Sequence, residues 1–65
     1  MNKTINGSYD NHDQARNAWE DLIAIGIPRE KVYIDEEAKV VKVIMPQETE
    51  AEIREIFERH GLNCL

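Results

Sequence analysis

The sequence predicts an α+β domain of order β-α-β-β-α-β, with a four-stranded antiparallel sheet carrying both helices on one face. Three observations carry this reading. Residues 39–46 (KVVKVIMP) are rich in β-branched side chains and end in a proline, which lacks the N–H that a strand ladder needs. Two stretches show apolar residues at helical spacing and stop at the same signal, Gly26-Ile27 and Gly61-Leu62, 35 residues apart. Leu22 and Phe57 each stand four residues before their glycine, so the chain divides into two β-α-β halves.

The first strand falls on residues 3–9. Ile5, Gly7 and Tyr9 share one face, and Thr4, Asn6 and Ser8 the other. A glycine inside a strand marks a bulge or a close approach by another element. The first helix starts at Asp10 or Asn11, either of which can cap exposed N–H groups, and is expected near residues 11–25. Ala15, Ala18, Trp19, Leu22 and Ile23 form its apolar stripe. Gly26 takes the left-handed position after the helix, Ile27 folds back in a Schellman contact, and Pro28 prevents a restart.

Residues 31–35 are the second strand, with Val32 and Ile34 on one face and Tyr33 and Asp35 on the other. Residues 36–38 (EEA) are a turn, which makes the second and third strands a hairpin. In the third strand Val41, Val43 and Met45 point one way, and Val40, Lys42 and Ile44 the other. Thr49 and Glu52 match a capping box opening the second helix, expected near residues 49–60. Its stripe is Ile53, Ile56 and Phe57, with Ala51 and His60 near the ends. Glu50 with Arg54 and Glu55 with Arg59 are i,i+4 pairs. Leu62, Asn63, Cys64 and Leu65 form the last strand.

This is the split β-α-β, or ferredoxin-like, arrangement. Right-handed crossovers give the strand order 4-1-3-2. Ile5, Val32, Ile34, Val41, Val43, Met45, Leu62 and Cys64 are expected to meet the helix stripes in one core.

Residues 1–65 make one domain. At that size only about 60% of the unfolded surface is buried, so dimerisation is one route to added stability. Eight Lys and Arg against 13 Asp and Glu give a net charge of −5. That balance argues against nucleic acid and against anionic membrane as partners. The first six residues lack the apolar region of a signal peptide, and no apolar run approaches the ~20 residues of a membrane span. With Cys64 as the single cysteine, the expected location is a reducing cytoplasm.

No constellation points to catalysis, a metal or a cofactor. His60 and Cys64 have metal-ligand side chains, but structural zinc needs four ligands, and the other histidine, His12, sits at the start of the other helix. A Cys64–His60 nucleophile pair fails because the cysteine is expected on the buried face, where a thiol is inert. The acids Glu36, Glu37, Glu48, Glu50 and Glu52 read as a turn and a solvated helix face. Catalytic carboxylates need burial or close pairing. The phosphate-binding glycine loops and the G-x-S-x-G elbow are absent from the sequence.

The open sheet face is more informative. It is expected to carry Thr4, Asn6, Ser8, Tyr33, Asp35, Val40, Lys42, Ile44, Asn63 and Leu65. An RNA-recognition domain of this topology places aromatics on its central strands, whereas here those strands offer Asn6, Lys42 and Ile44. Tyr33, Val40, Ile44 and Leu65 are the apolar members, with Lys42 among them. Such a patch is either a protein-contact surface or the apolar remainder of a one-layer sheet.

Tyr9-Asp10, then Ala15, Ala18, Leu22 and Gly26-Ile27, then Val32-Tyr33-Ile34, resembles small bacterial domains of the general-stress-protein type. Residues 53–62 (IREIFERHGL) are similar to their second helix and turn. The resemblance implies a ferredoxin-like fold and brings no catalytic residues. Heavy-metal-associated domains of the same topology need a C-x-x-C loop, and acylphosphatases an arginine-bearing glycine-rich loop; this sequence has neither. Ligand-sensing domains of the ACT type share related topology. Their ligand would sit at the loop carrying Asn6, Ser8, Asp10, Asn11, His12 and Asp13.

The expectation is therefore a non-enzymatic, cytoplasmic protein-interaction or stress-associated accessory domain without cofactors. The alternative is a small-molecule-sensing regulatory module. A homodimer would use the open face (Tyr33, Val40, Lys42, Ile44, Leu65) or an edge strand. The helix exteriors, with Glu20, Asp21, Glu50, Glu55 and Glu58, would set like charges against each other across a two-fold contact. Lys42 is expected to pair with Asp35 of its own sheet or of a second one.

Overall fold

The β-branched run at the centre of the chain is the centre of the sheet. In the computed structural model, which describes residues 2–64, β3 (Val40–Pro46) has a neighbour on each side. β1 (Asn2–Ser8) pairs with it antiparallel over its whole length, from Asn2↔Pro46 to Ser8↔Val40. β2 (Val32–Asp35) pairs antiparallel on the other side, from Val32↔Val43 to Asp35↔Val40. β4 (Asn63–Cys64) adds to β1 at Gly7 and Ser8. The order β2-β3-β1-β4 is the expected 4-1-3-2 read from the opposite edge. With α1 (His12–Ala24) and α2 (Glu50–Arg59), the chain has the ferredoxin-like β-α-β-β-α-β architecture.

Alternation along the strands decides which side the helices cover. Ile5, Gly7 and Tyr9 of the first strand and its exit are buried, as are Val41, Val43 and Met45 of β3. They meet Ala15, Ala18 and Leu22 from α1 and Ile53, Ile56 and Phe57 from α2 in a single core. Trp19, Ile23 and Ile34 are half-buried at its margin. The Trp19 ring also has the Arg29 guanidinium 5.7 Å from its centroid, a cation–π contact.

Both helices end as expected. Ile27 N donates to Leu22 O at 3.1 Å and Leu62 N to Phe57 O at 2.8 Å, each paired with a shorter-range bond from the glycine before it. Gly26 and Gly61 take φ of 107° and 77°.

Two expectations fail at the start of α2, and one on β4. Thr49 does not cap it. Pro46 leads into a 3-10 turn, Gln47–Thr49, so Thr49 already has helical φ and ψ of −92° and −7°. A side chain in that conformation cannot take the extended geometry of an N-cap. Ala51, placed near the end of the stripe, is exposed. Cys64, expected in the core, is exposed too. It shares a face with its partner Gly7, but β4 is a two-residue strand at the edge of the sheet, and both its residues are exposed.

A polar link ties the helices together. Asp21 Oδ2 lies 2.6 Å from His60 Nε2, so the ring donates from that nitrogen to the carboxylate. Gln14 Nε2 donates to the His60 carbonyl at 2.6 Å. His60 thus serves as a bridge between helices, beyond the helix-terminus role its position suggests.

Candidate functional site

The face of the sheet opposite the helices is the candidate site. Its residues are fixed by the ladder register. Thr4 stands opposite Ile44, Asn6 opposite Lys42, and Ser8 opposite Val40 on the β1–β3 pair. Tyr33 stands opposite Lys42, and Asp35 opposite Val40, on the β2–β3 pair. Asn63 extends the last row beyond Ser8. Directly opposite residues in an antiparallel pair point to the same side, so these side chains share one surface. Leu65, the remaining member expected there, lies outside the described residues.

Tyr33 is half-exposed, at 50%, a large aromatic side chain left open to solvent. Val40 and Ile44 are partly exposed, and Lys42 is exposed. The β2–β3 hairpin rises at one end of this surface. Together they bound an open concavity of ≈ 890 Å³, lined by Asn6, Tyr33, Asp35, Glu37, Val40 and Lys42 among others. At its floor the Asn6 side-chain oxygen is shut off from solvent and has no hydrogen-bond partner among the described residues. An unsatisfied buried acceptor costs on the order of 1–3 kcal/mol, and most native ones are paired.

The hairpin is built by Asp35. Its Oδ1 accepts from Glu37 N and Ala38 N, both at 3.1 Å, closing the turn as an Asx motif. Lys39 completes the reversal at φ 55°. The expected Lys42–Asp35 ion pair does not form within the chain. Among the described residues Lys42 has no carboxylate within 4 Å, and Asp35 turns one oxygen to the turn. Glu36 reaches the other way, to His12 Nε2 at 3.3 Å.

The alternative site divides into two parts. Asn6 and Ser8 belong to the sheet face. Asn11 caps α1, its side-chain oxygen accepting from Gln14 N at 2.9 Å, while Gln14 Oε1 accepts from Asp10 N at 2.8 Å. Asp13 occupies the first turn of α1, at the positive end of its dipole. Asp10, Asn11, His12 and Asp13 are exposed. The polarity that the sequence places in this loop is thus employed, at Asn11 and Asp13, in starting a helix.

Glu50, a carboxyl group with a lowered pKa, is remote from the sheet face. Lys3 Nζ at 2.8 Å and Arg54 Nε at 2.9 Å hold Glu50 below the ordinary glutamate range, chiefly through the Lys3 hydrogen bond. This cluster fastens α2 to β1. Among the described residues no group of three or more His, Cys, Asp or Glu is placed to hold a metal ion, and no helix is long and apolar enough to cross a membrane. Set against protein-family models, curated proteins and solved structures, the chain matches none.

Proposed function

We propose that this chain is a non-enzymatic protein-contact domain, a cytoplasmic accessory protein of the interaction or stress-associated kind, and that the open sheet face is its contact surface. The half-exposed Tyr33, on the edge strand β2 of that face, carries the reading. Val40 and Ile44 extend its apolar area, and Lys42 and Asp35 supply opposite charges within it. The helix exteriors offer Glu20, Glu55 and Glu58 to solvent, a surface suited to remaining free. Self-association through the same face is one form of this contact. The free Cys64 thiol and the acidic composition support a reducing compartment and a protein partner over nucleic acid.

The test compares what is retained from a lysate of the source cells by three immobilised proteins. They are wild type, Tyr33→Glu with Ile44→Glu, and Glu20→Lys with Glu58→Lys as a helix-face control. Neither sheet residue belongs to the core, so all three fold. The expected result is a partner, or the chain itself, held by wild type and the helix variant and lost by the sheet variant. Equal retention by all three overturns the reading.

A further inference from the structure

We propose that the occupant of the open sheet face is a second copy of this chain, set across a two-fold axis that runs along the line from Tyr33 to Val40. This inference rests on the contact-face reading and names its partner. The register supplies the argument. Tyr33 faces Lys42, and Asp35 faces Val40, across the β2–β3 ladder. The four side chains are therefore the corners of one small quadrilateral, about 4.8 Å between strands and about 7 Å along them. Tyr33 and Val40 hold one diagonal, and Lys42 and Asp35 the other.

An axis in the interface along the apolar diagonal has a definite consequence. It lays Tyr33 on Tyr33 and Val40 on Val40 of the second copy. It also brings Lys42 to within about 3 Å, in projection, of Asp35 of the second copy, and Asp35 as close to Lys42, a gap the flexible lysine spans, so one symmetric contact makes the ion pair twice. Both groups are prepared for this. Lys42 has no carboxylate within 4 Å in its own chain among the described residues, and Asp35 commits Oδ1 to the turn, leaving Oδ2 for a cation. An axis through Lys42 would instead oppose two ammonium groups. The helix exteriors would oppose carboxylates.

The same rotation brings the Glu36-Glu37 hairpin over Asn6 and Ser8 of the second copy, where it meets hydrogen-bonding side chains in place of acids. The strands of the two sheets then cross steeply, in the orthogonal class of sheet packing. Ile44 falls at the rim, one row beyond Lys42 and away from the axis. The contact is small, so the dimer belongs to the weak, exchanging class.

Sedimentation equilibrium of the intact chain, with amide spectra to confirm folding, tests this. Wild type is expected to dimerise at high micromolar concentration, more weakly as salt is raised. Lys42→Met keeps the aliphatic stem, and Asp35→Asn keeps the turn-closing oxygen. Each removes both symmetric ion pairs and is expected to weaken the dimer about tenfold. The double variant is expected to be no weaker than the worse single one, because the two groups act on each other. Tyr33→Glu alone abolishes the dimer, whereas Ile44→Glu alone has a smaller effect.

Independent, additive losses at Lys42 and Asp35 overturn the pairing. A dimer indifferent to Tyr33→Glu overturns the use of this face. A wild-type monomer at high micromolar concentration overturns the second copy as occupant, while the retention experiment still decides whether the face holds another protein.

Discussion

A Cβ atom on Gly7 would stand 2.7 Å from Phe57 Cδ2 and 2.8 Å from Cε2. The ring of the fully buried Phe57 therefore rests directly on the backbone of β1, and the missing side chain is what lets α2 sit so close to the sheet. Gly7 keeps regular pairing with Val41 and Cys64, so the glycine serves a close approach and not a bulge. Gly7→Ala is expected to destabilise the fold by about 1–3 kcal/mol through overpacking. Urea unfolding measures it. Phe57→Leu in the Gly7→Ala background should recover part of the loss, because it removes the atoms in conflict.

The two helix-terminating glycines should respond differently to alanine. Both have positive φ, so each Gly→Ala change incurs the left-handed penalty of about 1–2 kcal/mol. Around Gly26 a Cβ would meet nothing within 4 Å. At Gly61 it would lie 2.8 Å from Gln14 Nε2, which donates to the His60 carbonyl. Gly61→Ala must break or bend that bond as well. Its midpoint in urea is expected to fall further than that of Gly26→Ala; equal shifts would mean that the Gln14 bond contributes nothing.

Acid should loosen the attachment of α2 to β1. Glu50 is held below its ordinary value, near 4.5, by hydrogen bonds from Lys3 and Arg54 and by their charges. A group with a lowered folded pKa contributes stability above its unfolded pKa and loses it as pH falls through the folded one. Stability is thus expected to decline as pH drops below the ordinary glutamate range. Lys3→Met should return the Glu50 carboxyl resonance toward the ordinary titration in an NMR pH series and flatten that part of the decline. An unchanged titration would show that the Lys3 contact is not populated.

Periodicity made the architecture legible, because alternation and helical stripes report burial directly. Val41, Val43 and Met45, and Leu22, Ile53 and Phe57, are core residues for that reason. The open face was legible by subtraction: Tyr33, Lys42 and Val40 alternate along their strands with the buried Val32, Val41 and Val43. Long-range polar partners were not. Nothing near His60 in the sequence indicates Asp21, 39 residues away, and nothing near Lys3 indicates Glu50. The turn conformation of Lys39 was hidden too, since a lysine at φ 55° carries no residue-type signal. Cys64 misled because alternation gives the side a residue faces, not how much of it stays exposed on a two-residue edge strand.

Helix starts give the sharpest contrast between motif and structure. The Thr49-x-x-Glu52 pattern has the residues of a capping box, yet Thr49 makes no capping hydrogen bond from its side chain. Asn11-x-x-Gln14 does the work at the other helix, with Asn11 extended at φ −138° and ψ 159° and its oxygen bonded to Gln14 N. The difference lies in how the chain enters each helix. Asp10 leaves the chain extended into Asn11, whereas Pro46 starts a 3-10 turn that makes Thr49 helical before α2 begins. Asn11→Ala should therefore cost about 0.5–2 kcal/mol, the range for losing a cap. Thr49→Ala should stay within about 0.5 kcal/mol of wild type, as a change that removes no interaction. Parallel urea unfolding of the two variants decides it: a larger loss at Thr49 than at Asn11 would place the cap where the motif has it and displace the 3-10 entry to α2.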